Sequence, residues 1–110
     1  MQVRFMDWNC DVSFNTYKDN GRTAILLYDA EDGSPVATAS VNLSAITNDE
    51  WNNYARDWGV SSKQLVLIKD YSENEGMLEA LAEAKILFET GNVFSSGFAV
   101  IPLCIIRQEL

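Results

Sequence analysis

Carboxylates are the main chemical groups this chain offers. Sixteen Asp and Glu face eight Lys and Arg. Two clusters stand out: Asp29, Glu31 and Asp32 ahead of Gly33, and Asp70, Glu73 and Glu75 farther along. Such oxygens can hold a hard cation, and two carboxyls across one cleft can hydrolyse a glycosidic bond. The first cluster lacks the spacing of a calcium loop, and an Asp-Gly turn between strands accounts for it. In the second, Glu73 and Glu75 fall in the first turn of an expected helix, where the dipole favours acidic groups. Histidine is absent, which removes Ser-His-Asp and Cys-His machinery in their usual forms and the commonest zinc ligand. Cys10 and Cys104 form no CxxC and read as buried free thiols, or as a disulfide if their strands are neighbours. There is no GxxxxGK[ST] loop and no GxGxxG fingerprint. No catalytic, cofactor-binding or metal-ligating residue is assigned, and the chain reads as a non-enzyme. A metal-binding or carboxylate-based enzyme built on either cluster stands as an alternative.

Aromatic residues are the second resource. Trp51, Tyr54 and Trp58 recur with Ala55 at helical spacing. Such a stripe faces a core more often than a partner, yet Trp and Tyr are also favoured at interfaces. Trp8 falls in an expected hairpin turn, where it either folds back onto the sheet or meets a partner.

The 110 residues fit one α+β domain. Its expected form is a mainly antiparallel sheet of about six strands, with two helices on one face. Val3 and Phe5, then Cys10, Val12, Phe14 and Thr16, alternate with polar neighbours, as in a half-buried hairpin. The Asn20-Gly21 turn leads to a strand over Arg22 to Tyr28, and the turn over Asp29 to Pro35 leads to another over Val36 to Leu43. Thr47 and Glu50 fit a capping box opening a helix that Gly59 ends. Leu65 to Ile68 is a short apolar strand, and Ser72 with Glu75 fits a second capping box. The helix it opens presents Met77, Leu78, Leu81 and Ala82, with Glu79 and Glu83 on another side. Residues 89–97 read as a polar loop and residues 98–106 as the last strand. Pro102 puts that strand at an edge or on a bulge.

The net charge is −8 and the isoelectric point is near 4.3. That balance disfavours direct contact with nucleic acid or anionic membrane and favours a basic partner. No leader pattern and no long apolar run are visible, so the expected location is the cytoplasm.

Three segments carry a resemblance: residues 19–24 (DNGRTA), 29–39 (DAEDGSPVATA) and 68–78 (IKDYSENEGML). The ending, Ser96-Gly97-Phe98 through Pro102-Leu103-Cys104, adds to it. Together they resemble an uncharacterised family of short acidic proteins (a domain of unknown function) from gut Bacteroidetes and their mobile elements. Residues 45–62 depart from the family pattern, as an insertion would. The resemblance implies a bacterial, mobile-element setting and carries over no catalytic residue. In that setting the acidic surface suggests a small protein-binding module that inhibits a host nucleic-acid-acting protein, such as a defence nuclease, by charge mimicry. Asp70, Glu73, Glu75, Glu79, Trp51 and Trp58 are the candidate partner-binding residues. A further alternative, beside the carboxylate-based enzyme, is a self-associating structural or accessory protein that uses the Pro102 strand or the Trp51 and Trp58 face.

Overall fold

In the computed structural model, which describes Met1–Leu110, the alternating N-terminal third forms an antiparallel meander. Its strands are β1 (Gln2–Phe5), β2 (Trp8–Thr16), β3 (Thr23–Asp29) and β4 (Pro35–Thr38), in that spatial order. Val3 lies opposite Cys10, Val12 opposite Leu27 and Phe14 opposite Ile25, so one face gathers the apolar side chains. Val36 is the extra residue of a β-bulge between the Leu27–Ala37 and Tyr28–Pro35 pairs. The first turn comes earlier than the pattern suggests. Met6 takes the left-handed φ of 54° and Trp8 already belongs to β2.

The expected single sheet is instead two. The apolar run after Pro35 breaks at Ala39, beyond which lies β5 (Ser40–Val41) in a second sheet. That sheet also holds β6 (Leu65–Ile68), β7 (Leu87–Ser96) and β8 (Ala99–Ile106), ordered β5-β6-β8-β7. Ala39 joins the two sheets by its own backbone. Its N–H donates to the Ile25 carbonyl and its carbonyl accepts from the Lys69 N–H, each at 2.8 Å. A strand that changes sheets bends sharply, and here the bend is fully buried. We expect Ala39→Leu to overpack this corner and cost about 1–3 kcal/mol, read as a lower urea midpoint. An unchanged midpoint would show the corner to be loosely packed.

β6 and the part of β8 from Ile101 to Ile106 are buried on both faces, which is why they read as continuous apolar runs. Val66, Ile68, Cys104 and Ile106 join the first sheet's Val3, Ile25 and Leu27 in one core. Leu65, Leu67, Ile101, Leu103 and Ile105 form the opposite face, covered by α1 (Asn48–Trp58) through Trp51 and Ala55. α1 begins and ends as its sequence predicts, with the Thr47–Glu50 capping box and Gly59 at φ 66°. The second helix, α2 (Met77–Glu83), buries Met77 and Leu81 in the inter-sheet core and packs on β1 and β7. The two helices therefore lie on opposite sides of the second sheet rather than on one face.

Three further expectations are corrected. Ser72 caps no α-helix: it has φ 55° and opens a short 3-10 turn, Ser72–Asn74. Gly76, at φ 93°, separates that turn from α2. The expected loop over residues 89–97 is most of β7, with Thr90, Gly91 and Asn92 bulged between the Glu89–Cys104 and Val93–Pro102 pairs. The strand containing Pro102 is interior, between β6 and β7, and the irregularity sits on the strand opposite the proline. Cys10 and Cys104 are buried free thiols in the same core. No helix is long and apolar enough to cross a membrane.

Candidate functional site

The hairpin turn after β1 stands beside α2, and the surface between them is the candidate site. Phe5 and Ala80 floor one recess, lined also by Arg4, Met6, Glu75, Glu79 and Glu83. Within α2, Glu79 and Glu83 are one turn apart, and Glu75 precedes the helix on the same side. Like charges at this spacing disfavour a helix by a few tenths of a kcal/mol, so the stripe does not serve α2.

A second recess, of ≈ 450 Å³, shares Phe5 and Met6 with the first and adds Trp8, Val36, Ala37, Glu73 and Asn74. The bulge in β4 brings the consecutive residues Val36 and Ala37 to one recess. Register places Trp8 on the core face of the first sheet, opposite Phe5, but at the sheet's end, where it is 44% exposed. Met6 is 53% exposed. Its left-handed backbone is uncommon for a residue with a side chain. A third recess, on the far side of Trp8, is lined by Asp7, Asp29 and Glu31 together with Arg4 and Asn9.

The result is an apolar centre of Met6, Trp8 and Val36 bordered by seven carboxylates: Asp7, Asp29, Glu31, Glu73, Glu75, Glu79 and Glu83. Arg4 is the single cation among these lining residues. Its guanidinium donates to the Met6 carbonyl and to Asn9 Oδ1, each at 3.3 Å. Folding thus brings Asp29 and Glu31 of the first sequence cluster, and Glu73 and Glu75 of the second, to the border of one surface. Neither converges as metal ligands would: no three Cys, Asp or Glu side chains are grouped to hold an ion. Asp29 Oδ1 accepts the Glu31 N–H at 2.8 Å, and Asp32 Oδ1 accepts from both the hydroxyl and the N–H of Ser34. Those bonds from Ser34 hold the Asp32 carboxyl below its ordinary pKa.

The six predicted partner-binding residues divide. Glu73, Glu75 and Glu79 come together at the site. Glu73 pairs with Lys69, which lowers the carboxyl's pKa and raises the lysine's. Asp70 is engaged in folding: its Oδ1 accepts the N–H of Gly76 at 3.1 Å and of Leu78 at 2.9 Å, capping α2 from outside the helix. Trp51 is 4% exposed and belongs to the core. Its indole N–H donates to the Ser62 carbonyl, and Arg22 lies 4.5 Å over its ring. Trp58 lies in the α1 layer, edge-on to Phe88 at 6.0 Å, and lines none of these recesses. Met6, Asp7, Val36 and Glu83 are members that patterning missed as site residues. Trp8 carried a signal, as a large apolar residue in an expected turn.

Compared with protein families, with curated proteins and with solved structures, the chain matches none.

Proposed function

We propose that the protein is a small acidic protein-binding module whose Met6–Trp8 surface occupies the basic groove of a host nucleic-acid-acting protein. The mobile-element setting is what the resemblance implies. One observation carries the reading: seven carboxylates border an exposed apolar centre that contains a tryptophan. Stable interfaces place aromatic and methionine anchors inside a polar, solvent-accessible rim. The carboxylates steer a basic surface inward and stand where backbone phosphates would. The anchor then supplies the contact that charge alone does not.

The test is capture from a Bacteroidetes host lysate by the wild type, by the triple variant Glu75→Lys, Glu79→Lys, Glu83→Lys, and by Trp8→Ala. A nucleic-acid-acting protein held by the wild type should be displaced by heparin and by high salt. Its affinity should fall on the order of 100-fold in the triple variant and about tenfold or more in Trp8→Ala, with circular dichroism unchanged. Capture indifferent to both heparin and the triple variant would reject charge mimicry at this surface.

A further inference from the structure

A second surface lies at the β7 edge of the second sheet and shares no residue with the acidic one. Exposed sheet edges invite pairing, and proteins blunt them with short strands, proline or charge. Three of the four edges here follow that rule. β1 and β4 have four residues each, β4 begins with Pro35, and β5 has only two residues. β7 departs from it past its bulge: it has ten residues and forms the outer edge, and from Val93 to Ser96 it carries no charge, proline or bulge.

The chemistry of that edge is distinctive. No Asp, Glu, Lys or Arg occurs between Glu89 and Arg107. In that stretch Val93 is 58% exposed, Val100 59%, and Phe98, at the tip of the β7–β8 hairpin, fully so. Val93 pairs with Pro102 and Ser95 with Val100, so Val93 and Val100 share one face. The other face carries Phe94 and is covered by α1, where Tyr54 meets Phe94 edge-on at 5.7 Å.

The backbone at this edge can be assigned from Pro102. Proline has no N–H, so Val93 and Pro102 cannot exchange two hydrogen bonds and form a non-hydrogen-bonded pair. Bonded and non-bonded pairs alternate along an antiparallel ladder. Phe94–Ile101 and Ser96–Ala99 therefore bond to each other across β7 and β8. Val93 and Ser95 turn their N–H and C=O groups outward, to the open edge.

We infer that this edge is the interface of a two-fold symmetric homodimer in which β7 pairs antiparallel with β7 of a second copy. Charge selects the occupant. Each copy carries −8, so two copies repel wherever their acidic surfaces meet, and the uncharged hairpin is the region where they can touch. A basic partner would gain nothing from a segment without carboxylates. In a perpendicular two-fold arrangement identical strands keep their faces aligned when centred on one residue. Centring on Phe94 sets Val93 against Ser95 of the second copy, and Ser95 against Val93, so the outward groups of each pair satisfy one another. The same register sets Gly97 of each copy beside Gly91 of the other, and Phe98 beside Thr90, at the bulge.

Sedimentation equilibrium of the full chain tests this. The wild type should pass with rising concentration from the 12.3 kDa chain mass to twice that value, with a dissociation constant tighter than about 1 mM. Association should strengthen as salt rises, because screening relieves the repulsion between copies. Capture of a basic partner weakens under the same change, so the two surfaces are separately scored. Ser95→Pro removes one outward N–H while leaving the bonds between β7 and β8, and Phe98→Asp places charge at the tip. Both variants should stay at the monomer mass with native circular dichroism. A wild type that remains monomeric at every concentration and salt would overturn the proposal, as would a dimer that survives in folded Ser95→Pro.

Discussion

Replacing Arg22 by Met should cost about 3 kcal/mol or more of folding stability. Arg22 is 5% exposed, and no carboxylate pairs with it. Its Nη1 donates to the Leu43 carbonyl at 3.0 Å, and its Nη2 donates to the Ile46 carbonyl and to Asn48 Oδ1. These acceptors lie in the segment that leads into α1, so the guanidinium fastens that helix to the start of β3. Its face rests on Trp51. Burial pulls its pKa below the ordinary value, while Asp19 and Glu50 act the other way. Nε is buried with no hydrogen-bond partner, so part of the desolvation is uncompensated. Methionine fills similar volume but leaves two carbonyls without their donor, each costing about 1–3 kcal/mol, and loses the cation–π contact. Lysine should not rescue, because a single ammonium lacks the planar fork that spans both carbonyls. Urea denaturation decides the matter: a loss below about 1 kcal/mol would mean the segment satisfies itself by local rearrangement.

The second large effect is a loss of stability in alkali. Burial pushes the Cys104 thiol from 9.0 up to about 12, with Glu89 and Asp70 adding to the rise. The folded state thus favours the neutral thiol. Its contribution is complete below pH 9.0 and is lost as pH climbs through the folded value near 12. At about 1.4 kcal/mol per unit, the three-unit gap amounts to roughly 4 kcal/mol at the upper end. Two other groups act in the same direction. Burial raises the Cys10 thiol, with Asp29 and Asp11 contributing. Burial also raises Tyr17, against its hydrogen bond with Ser40 at 2.8 Å. Unfolding free energies measured at intervals from pH 9.0 to about 12 should fall steeply in the wild type. They should fall less steeply in Cys104→Ala, whatever the offset from the small cavity it leaves. Parallel slopes would show that Cys104 does not govern the alkaline limb.

The parts of the fold that were legible in the sequence are those specified locally. α1 is one: Thr47 and Glu50 open it, Trp51 and Ala55 set its buried side and Gly59 closes it, all within thirteen residues. The break at Ala39 was not legible. No glycine or proline marks it, and the bend is set by hydrogen bonds to Ile25 and Lys69, both distant in the chain. Ser72 illustrates a local signal overridden. It has the spacing of a capping box, but Asp70 captures the α2 amides and Asn74 anchors the preceding turn by donating to the Thr38 carbonyl at 2.7 Å. Thr90-Gly91-Asn92 has turn composition, yet the Thr90 hydroxyl donates to the Leu103 carbonyl, and the segment becomes a bulge within β7.

The candidate site was legible by half. Glu73, Glu75 and Glu79 stood out as charge near a helix start, a signal that survives because these groups are solvated and near in sequence. That Met6 and Trp8 stand beside them follows only from α2 docking on β1. The stripe of Trp51 and Trp58 separates because positions seven apart share a side of α1 without sharing its depth. Trp51 sits over the sheet and Trp58 near the helix end, against Phe88.

The scattering of the three tryptophans has an optical consequence. Trp51 is enclosed beside a guanidinium, Trp58 is half open against a phenyl edge, and Trp8 stands in the recess opposite Phe5. Each indole thus reports on a different part of the molecule. In variants that keep one tryptophan and replace the other two by phenylalanine, Trp51 emission follows the core and Trp58 the outer helix layer. Trp8 emission follows whatever settles on the acidic-rimmed surface. A blue shift confined to Trp8 would distinguish occupancy of that surface from tightening of the fold as a whole.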